Sequence, residues 1–406
     1  MFTAKTEDGS FIRLYEKISD KEYLRKLRSS HHFFCPECSE RVILKLGEKR
    51  VTHFAHEKNS ICCASAEAES EYHLEGKLQL YNWLDKLGLQ PVLEPYFSTI
   101  KQRADIGFRY NNKYYVIEYQ CSPISSALLI KRTNGYRKEN FHPIWIIGFK
   151  NMQKMIRNKL RVSSFCYQFL IAYNGQYILP TYCPSQKNFH FYHSLFPITI
   201  NQLFASCHTQ SINSMFFPPL WKSRSSPIPF QQWKKEIRKQ KIHSIHYQTK
   251  NNDYFLKEIY INKWHPHFLP PYIGVPLRSN IHIETAPLFW QTYIFLDHFT
   301  GEKGNKIISL HKITEQFQRR MNRKEIKKRQ LPMIAGETWR QAVYDYLHFL
   351  TAANILIEVK PLFYVLKERV IIEKNYETIT KKEDIFYYEN AAILNKLVSF
   401  TGLKPK

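Results

Sequence analysis

Residues 103–120, RADIGFRYNNKYYVIEYQ, decide how the chain is read. Two β-rich runs, Arg103 to Tyr110 and Tyr114 to Gln120, flank Asn111-Asn112, and asparagine tolerates the left-handed backbone that a tight hairpin turn needs. Such a hairpin brings Asp105 and Glu118 to neighbouring positions on adjoining strands. Glu118 and Gln120, two residues apart, project from one face while Tyr119 points to the other. Hard divalent cations take carboxylate oxygens. A bound cation makes water nucleophilic and offsets the charge that grows on a phosphate. Asp105 and Glu118 are therefore candidate ligands for Mg2+ or Mn2+, with the Tyr119 carbonyl as a further one.

Upstream, apolar periodicity predicts a helix from Glu67 to about Leu87, closed by Gly88. Glu69, His73 and Lys77 stand at i, i+4 and i+8, so they share one side. That stripe continues into Leu80, Leu84 and Leu87, which points to a polar head entering a partly enclosed site. The plainer alternative is an amphipathic helix whose acid and base pair in solvent. Another strand is expected over Pro91 to Phe97. Downstream, Ser122-Pro123 offers an N-cap and a first-turn proline for a second helix running to about Glu139. Arg132 and Tyr136 lie one turn apart on it. Pro143 to Phe149 is apolar on both faces and reads as a central strand. The order is helix, three strands, helix, strand.

Toward the amino terminus, Thr3 to Lys5 and Phe11 to Leu14 flank Asp8-Gly9 as a hairpin. A helix-like stretch, Lys21 to Leu27, and a strand, Val42 to Leu46, follow. Cys35-x2-Cys38 and His53-x2-His56 have the soft-ligand composition and count of a structural Zn2+ site. On a straight strand His53 and His56 point to opposite faces, so Cys62 or Cys63 is an alternate ligand. Four cysteines crowded beside two histidines favour a metal over disulfides in a reducing compartment.

The chain has 406 residues with 59 Lys and Arg against 35 Asp and Glu, a net charge of +24. A polyanion is the natural partner, because Lys and Arg neutralising phosphate supply most non-specific nucleic-acid affinity. Hydrophobic residues make up 44% and aromatic ones 15%, which excludes a disordered chain. The amino terminus lacks an apolar signal region, and no apolar run is long enough to span a bilayer. A cytoplasmic location is expected. Helices are plausible at Leu288 to His298, Ile307 to Lys328, Glu337 to Ala353 and Asn390 to Phe400, after proline-rich stretches at Pro218 to Pro229 and Pro266 to Pro276. The basic segments Lys234 to Lys239 and Arg319 to Arg329 are read as phosphate-contacting.

Together, Glu69-x3-His73-x3-Lys77, Arg103-Ala104-Asp105, Glu118-Tyr119-Gln120-Cys121-Ser122, Arg132-x3-Tyr136 and Trp145 resemble the competence protein CoiA family. The amino-terminal Cys-Pro-x-Cys and His-Phe-Ala-His segments and Leu269-Pro270-Pro271-Tyr272-Ile273-Gly274 fit the same family. The resemblance implies an α/β central domain of the PD-(D/E)xK, restriction-endonuclease-like type (αβββαβ). It sits between a small zinc-ribbon-like β domain and a basic, mainly α-helical carboxyl-terminal region. The divisions are residues 1–65, 66–152 and 153–406.

The resemblance also implies a metal-dependent nuclease in natural transformation, helping incoming single-stranded or branched DNA recombine alongside a RecA-type recombinase and the competence machinery. Beside the cytoplasmic location, an association with the membrane DNA-uptake machinery is allowed, and a more distant reading is an adaptor whose zinc site and carboxyl-terminal region dock protein partners there. Asp105 and Glu118 fall on the metal-binding acids. Gln120 stands where the wider superfamily usually has lysine, so Lys77 or His73 is left to supply positive charge from the helix. Glu69 completes the catalytic candidates, and Arg132, Tyr136 and Arg103 are candidate DNA-phosphate contacts. The departure at Gln120 leaves open a catalytically inactive DNA-binding or recombinase-recruiting platform.

Overall fold

The structure, a computed structural model, describes every residue except 17–19, 48–50, 58–68, 174, 219–225, 247–249, 301–305, 335, 337–338 and 400–406, together with the side chains at 246, 250–252, 398 and 399. Cys62 and Cys63 and the boundary expected near residue 65 lie outside the described residues. The chain divides into two compact units: Met1–Met152 with Pro180–Phe191 and His208–Lys222, and Gln153–Leu179 with Tyr192–Cys207 and Ser223–Lys406.

In the first unit, β1 (Thr3–Lys5) and β2 (Phe11–Arg13) form the expected hairpin, and α1 (Lys21–Ser30) follows, capped by Asp20. β3 (Phe33–Phe34), β4 (Arg41–Lys45) and β5 (His53–His56) complete a five-stranded antiparallel sheet in the order β2-β1-β3-β4-β5. β4 alternates exposed and buried residues, and Val42 and Leu44 enter the core.

The same unit contains α2 (Glu71–Lys86), which begins four residues later than Glu67, because the Ser70 hydroxyl caps the His73 amide. Its end is as expected, with Gly88 at φ +73. The extended run at 91–97 is broken into β6 (Val92–Leu93) and β7 (Tyr96–Phe97) by Glu94 at φ +54 and by Pro95. β8 (Gln102–Arg103) pairs with β7, and β9 (Ile106–Tyr110) pairs with β10 (Lys113–Gln120) across Asn111 and Asn112 at φ +48 and +59. α3 (Ser126–Lys138) starts not at Ser122-Pro123 but at Ser125, whose hydroxyl accepts from the Leu128 amide. β11 (Phe141–Gly148) runs parallel to β10, with Glu118 beside Trp145. It is the central strand expected, since Ile147 and Gly148 also pair in parallel with Thr181 and Tyr182. α2 approaches β10 closely at Gly76, where a Cβ would lie 2.2 Å from the Tyr119 ring.

The region from residue 153 is mainly helical, as expected, but its helices come late and strands precede them. β12 (Lys159–Arg161), the short α4 (Ser164–Tyr167), β13 (Ile171–Tyr173), β14 (Gln176–Cys183), β15 (Asn188–Pro197) and β16 (Gln202–Ser211) come first. β14 and β15 are buried along nearly their whole length. They therefore show none of the alternation that marks a half-exposed strand.

The long helices of the second unit begin with α5 (Phe230–His246), α6 (Lys250–Ile261) and α7 (Pro287–His298). β17 (Ile308–Ser309), α8 (Leu310–Asn322), α9 (Trp339–Ala352), β18 (Leu356–Lys360), β19 (Phe363–Leu366), α10 (Tyr376–Glu389) and α11 (Ala391–Ser399) complete it. Trp233, Trp290 and Tyr346 anchor its core. The Leu269–Gly274 segment serves that core: the Gln291 side-chain oxygen accepts from the Gly274 and Val275 amides, and Trp233 donates to the Gly274 carbonyl. Among the described residues no helix is long and apolar enough to cross a membrane.

Each basic segment turns some of its cations inward and leaves the others exposed. Lys234 pairs with Asp384, and Arg238 with Glu383 at 2.6 Å. Arg320 is buried against Glu258, Asp297 and Glu325 at 2.6–2.7 Å. Arg329 is buried with its guanidinium 3.7 Å from the Tyr167 ring centre. Lys235, Lys239, Arg319, Arg323, Lys324, Lys327 and Lys328 remain exposed.

Candidate functional site: an acidic cluster over a buried lysine

Helical spacing places Glu69, at the entry to α2, and His73 and Lys77, within it, over the end of β9. Lys77 is fully buried, and its ammonium lies 2.8 Å from Glu69 Oε1, 2.6 Å from Glu94 Oε1 and 3.4 Å from Asp105 Oδ1. His73 Nε2 is 3.4 Å from Asp105 Oδ2, which also accepts from the Tyr119 amide at 2.8 Å. The β9–β10 ladder ends at Ile106–Ile117. Freed from the pairing, the Asp105 carboxylate turns onto α2 and takes the amide of β10 that the ladder would otherwise have used.

Glu94 was not singled out from the sequence. Its Oε2 accepts from the Phe2 and Thr3 amides at 2.8 and 3.0 Å, so one carboxylate ties the amino-terminal strand to Lys77. The only signal was an acid in the middle of an apolar run, Pro91-Val92-Leu93-Glu94-Pro95. The amino group of Met1 also reaches this cluster, 2.8 Å from Glu69 Oε2.

Burial alone would weaken every charge here, and the pairing outweighs it. Lys77 is held above its ordinary range, since Glu69, Glu94 and Asp105 overcome its desolvation. Asp105 is largely but not wholly shielded, and Lys77 and then His73 keep its carboxyl well below the usual range against that desolvation. Glu69 and Glu94 are lowered against their own burial chiefly by Lys77. Groups with depressed pKa values stabilise the fold above their unfolded pKa, about 4 for carboxylates, and that contribution is lost as pH falls through the folded values. The part of the thermal midpoint that these carboxylates supply is therefore expected to hold from pH 7 toward 5 and to drop below about 4. The drop should be shallower in Asp105→Asn, and scanning calorimetry across that range checks it. An identical slope in the variant would place the acid sensitivity elsewhere.

Glu118 is engaged differently. Its Oε1 accepts from both Arg132 and the Tyr136 hydroxyl. Burial pushes its carboxyl up, Arg132 pulls it back, and the neighbouring Asp105 charge pushes it up again. The two acids therefore sense each other, but Asp105 is held from α2 and Glu118 from α3. Glu69, His73 and Asp105 bring one ligand atom each within 4.8 Å of one another, and Glu118 is not in that trio.

The side chains expected to meet DNA phosphate are also occupied. Arg132 donates to the Arg103 carbonyl at 2.9 Å besides Glu118, and Tyr136 is fully buried. Arg103 is 2.7 Å from Glu37 Oε1. Gln120 donates to the Ser122 carbonyl at 2.7 Å, a tether to the backbone just past the end of β10.

Solvent reaches the trio and not what lies beneath it. The side chains of Glu69, His73 and Asp105 are 14–18% exposed, against 1% for Lys77 and none for Glu94. Three ligand atoms at a solvent-facing rim, two of them on ionised carboxylates, suit a divalent cation.

A second group gathers Cys35, Cys38 and His56, again within 4.8 Å of one another, with Cys38 Sγ 3.4 Å from His56 Nε2. His53 is not part of it. β5 is straight, so His53 falls on the opposite face, and its Nδ1 is hydrogen-bonded to the Val51 carbonyl at 2.8 Å. Burial lowers both histidines below their usual pKa, which leaves the imidazoles neutral, the form that binds a metal.

Comparisons with known proteins bear on most of the length. Residues 16–65 match the family described as Competence protein CoiA, N-terminal domain. Residues 69–225 match Competence protein CoiA, nuclease-like domain, and residues 228–379 match Competence protein CoiA, C-terminal domain. The protein named Competence protein CoiA of Bacillus subtilis (strain 168) is 31% identical over 340 residues, which is 83% of this chain and 90% of that protein. No solved structure matches.

Proposed function

The chain belongs to the competence protein CoiA family, and from that premise we propose that it acts in natural transformation as a divalent-metal-dependent DNA phosphodiesterase. The observation that carries the reading is the convergence of Glu69, His73 and Asp105 at a solvent-facing rim over buried Lys77. The strongly basic chain supplies the affinity for DNA phosphate.

Glu69, His73 and Asp105 would hold the cation, and the imidazole in the set favours Mn2+ over Mg2+. When bound, the cation supplies a nucleophilic water at neutral pH and neutralises charge on the phosphate. Lys77 keeps the two acids ionised and fixes their carboxylates. The Tyr119 amide orients Asp105. Glu94, fully shielded, holds Lys77 in place from below. Glu118, clamped by Arg132 and Tyr136, acts in this reading by its charge on Asp105 and by anchoring α3.

One observation favours a second reading, a nuclease fold used as a DNA or recombinase platform without turnover. The Glu118 carboxylate is already satisfied by two donors, and Gln120 is tethered to the backbone. Incubating the full chain with labelled single-stranded, duplex and branched DNA, with Mn2+ or Mg2+ and with chelator, separates the two. Products that appear with the cation and vanish with chelator support the enzyme. Binding of DNA without cleavage under every condition moves the conclusion to the platform.

Cys35, Cys38 and His56 are proposed to hold a structural Zn2+, with a fourth ligand outside the trio. About one zinc per chain is expected from purified protein, since structural sites of this type are closed and tight. Cys38→Ser should release it to a colorimetric chelator and lower the thermal midpoint. Full metal retention in that variant would remove Cys38 from the ligand set.

A further inference from the structure

Residues 287–366 follow the order helix, short strand, helix, helix, two-stranded hairpin, as α7, β17, α8, α9, β18 and β19. The three strands form one antiparallel sheet in the order β17-β19-β18. The Leu310 amide at the start of α8 donates to the Leu362 carbonyl in the hairpin turn at 2.8 Å, so the hairpin is locked beside the helix pair. This is the arrangement of a winged helix: a helix pair whose second member can lie along a duplex groove, flanked by a hairpin that reaches the backbone.

A concavity of about 770 Å³ opens where the helix pair and the hairpin meet. Arg340, Gln341 and Tyr344 of α9, His311 and Thr314 of α8, and Phe363 of the hairpin line it. Lys306 and Lys312 beside α8 and Lys360 at the hairpin are exposed. The acids nearby are spoken for. Glu358 accepts from the Leu362 amide at 2.7 Å, Asp345 from Gln341 at 2.7 Å, and Glu315 pairs with Arg319 at 2.6 Å. Lys306, Lys312, Arg340 and Lys360 stand against Glu358 and Asp345, so the rim carries an excess of cations over a floor of aromatic and hydroxyl side chains.

We propose that this groove is a second DNA seat, one that takes the sugar-phosphate backbone of a duplex. Every residue lining it belongs to the second unit, so it goes beyond the metal-centred reading and does not depend on cleavage. Arg340 and His311 meet phosphate, with Lys312 and Lys360 on either side. Gln341 and Thr314 donate to phosphate or sugar oxygens, and Tyr344 and Phe363 pack against the deoxyribose.

The test is anisotropy of a short labelled duplex and of its single strand with the full chain, comparing wild type, Arg340→Glu, Lys360→Glu and the double variant His311→Glu/Lys312→Glu. All sites are at the surface or the groove, and thermal midpoints matching wild type confirm folding. Duplex affinity is expected to fall at least about tenfold in Arg340→Glu and in the double variant, with the salt slope reduced by about one per contact removed. Single-strand affinity should stay within about twofold, since flexible strands depend on stacking platforms elsewhere. A duplex loss below about tenfold in both, or a loss shared equally by the single strand, overturns the proposal. Duplex affinity is read in chelator, where metal-dependent cleavage is silent, and cleavage is read separately in Mn2+, so failure here and failure of the nuclease reading are told apart.

Discussion

Lys77→Met is expected to lower the thermal midpoint of the protein by on the order of 10 °C. Lys77 is fully buried, and Glu69, Glu94 and Asp105 converge on its one ammonium. A methionine fills the same space but leaves those carboxylates without the charge that holds them ionised. Removing one partner of a buried ion pair costs about 3–5 kcal/mol, because the remaining charge stays desolvated. For a unit of this size each kcal/mol shifts the midpoint by about 2–4 °C. Adding Glu94→Gln to the variant should recover part of the loss, since the most enclosed of the stranded charges is then neutral; residues sharing one network are not additive. A midpoint within about 2 °C of wild type in Lys77→Met would mean that the cluster is not held by this ammonium.

Asp105→Asn is expected to fold and to lose metal-dependent cleavage by about 10²–10³-fold, the equivalent of about 3–4 kcal/mol in the barrier. The amide still accepts from the Tyr119 amide, so local structure survives, but a neutral ligand no longer draws a divalent cation into the trio. Glu118→Gln should cost less, because Glu118 faces Arg132 and Tyr136 and stands outside the trio. Single-turnover cleavage in Mn2+ compares the two. Equal losses in both variants would return Glu118 to the metal's own ligands, and activity within about fivefold of wild type in Asp105→Asn would remove Asp105 from the chemistry.

Much of the site was legible because it depends on periods of 2 and 3.6. The Asn111-Asn112 turn set the β9–β10 register, the helical spacing put Glu69, His73 and Lys77 on one side, and the apolar run at 143–149 marked the central strand. What the periods do not contain was missed. Nothing local says that the ladder stops at Ile106, which is what sends Asp105 to α2 and leaves Glu118 to α3. Glu94 needs the amides of Phe2 and Thr3, which lie ninety-two and ninety-one residues away. Ser122-Pro123 has the form of a cap, yet the helix is capped at Ser125, whose hydroxyl takes the Leu128 amide. β14 carries Pro180 inside a buried strand, a residue that argues against a central strand wherever it is met in a sequence. Arg320 looks like part of a surface charge run until Glu258 and Asp297, distant in sequence, close around it.

The central claim is that Glu69, His73 and Asp105 share one divalent cation. Anomalous diffraction from crystals of the full chain equilibrated with Mn2+ tests it most directly. The account predicts a peak within coordination distance of an Asp105 oxygen, a Glu69 oxygen and a His73 nitrogen, and its disappearance in Asp105→Asn. A peak bound to Glu118 without Glu69 and His73, or none at the cluster while Mn2+ still supports cleavage, would contradict it.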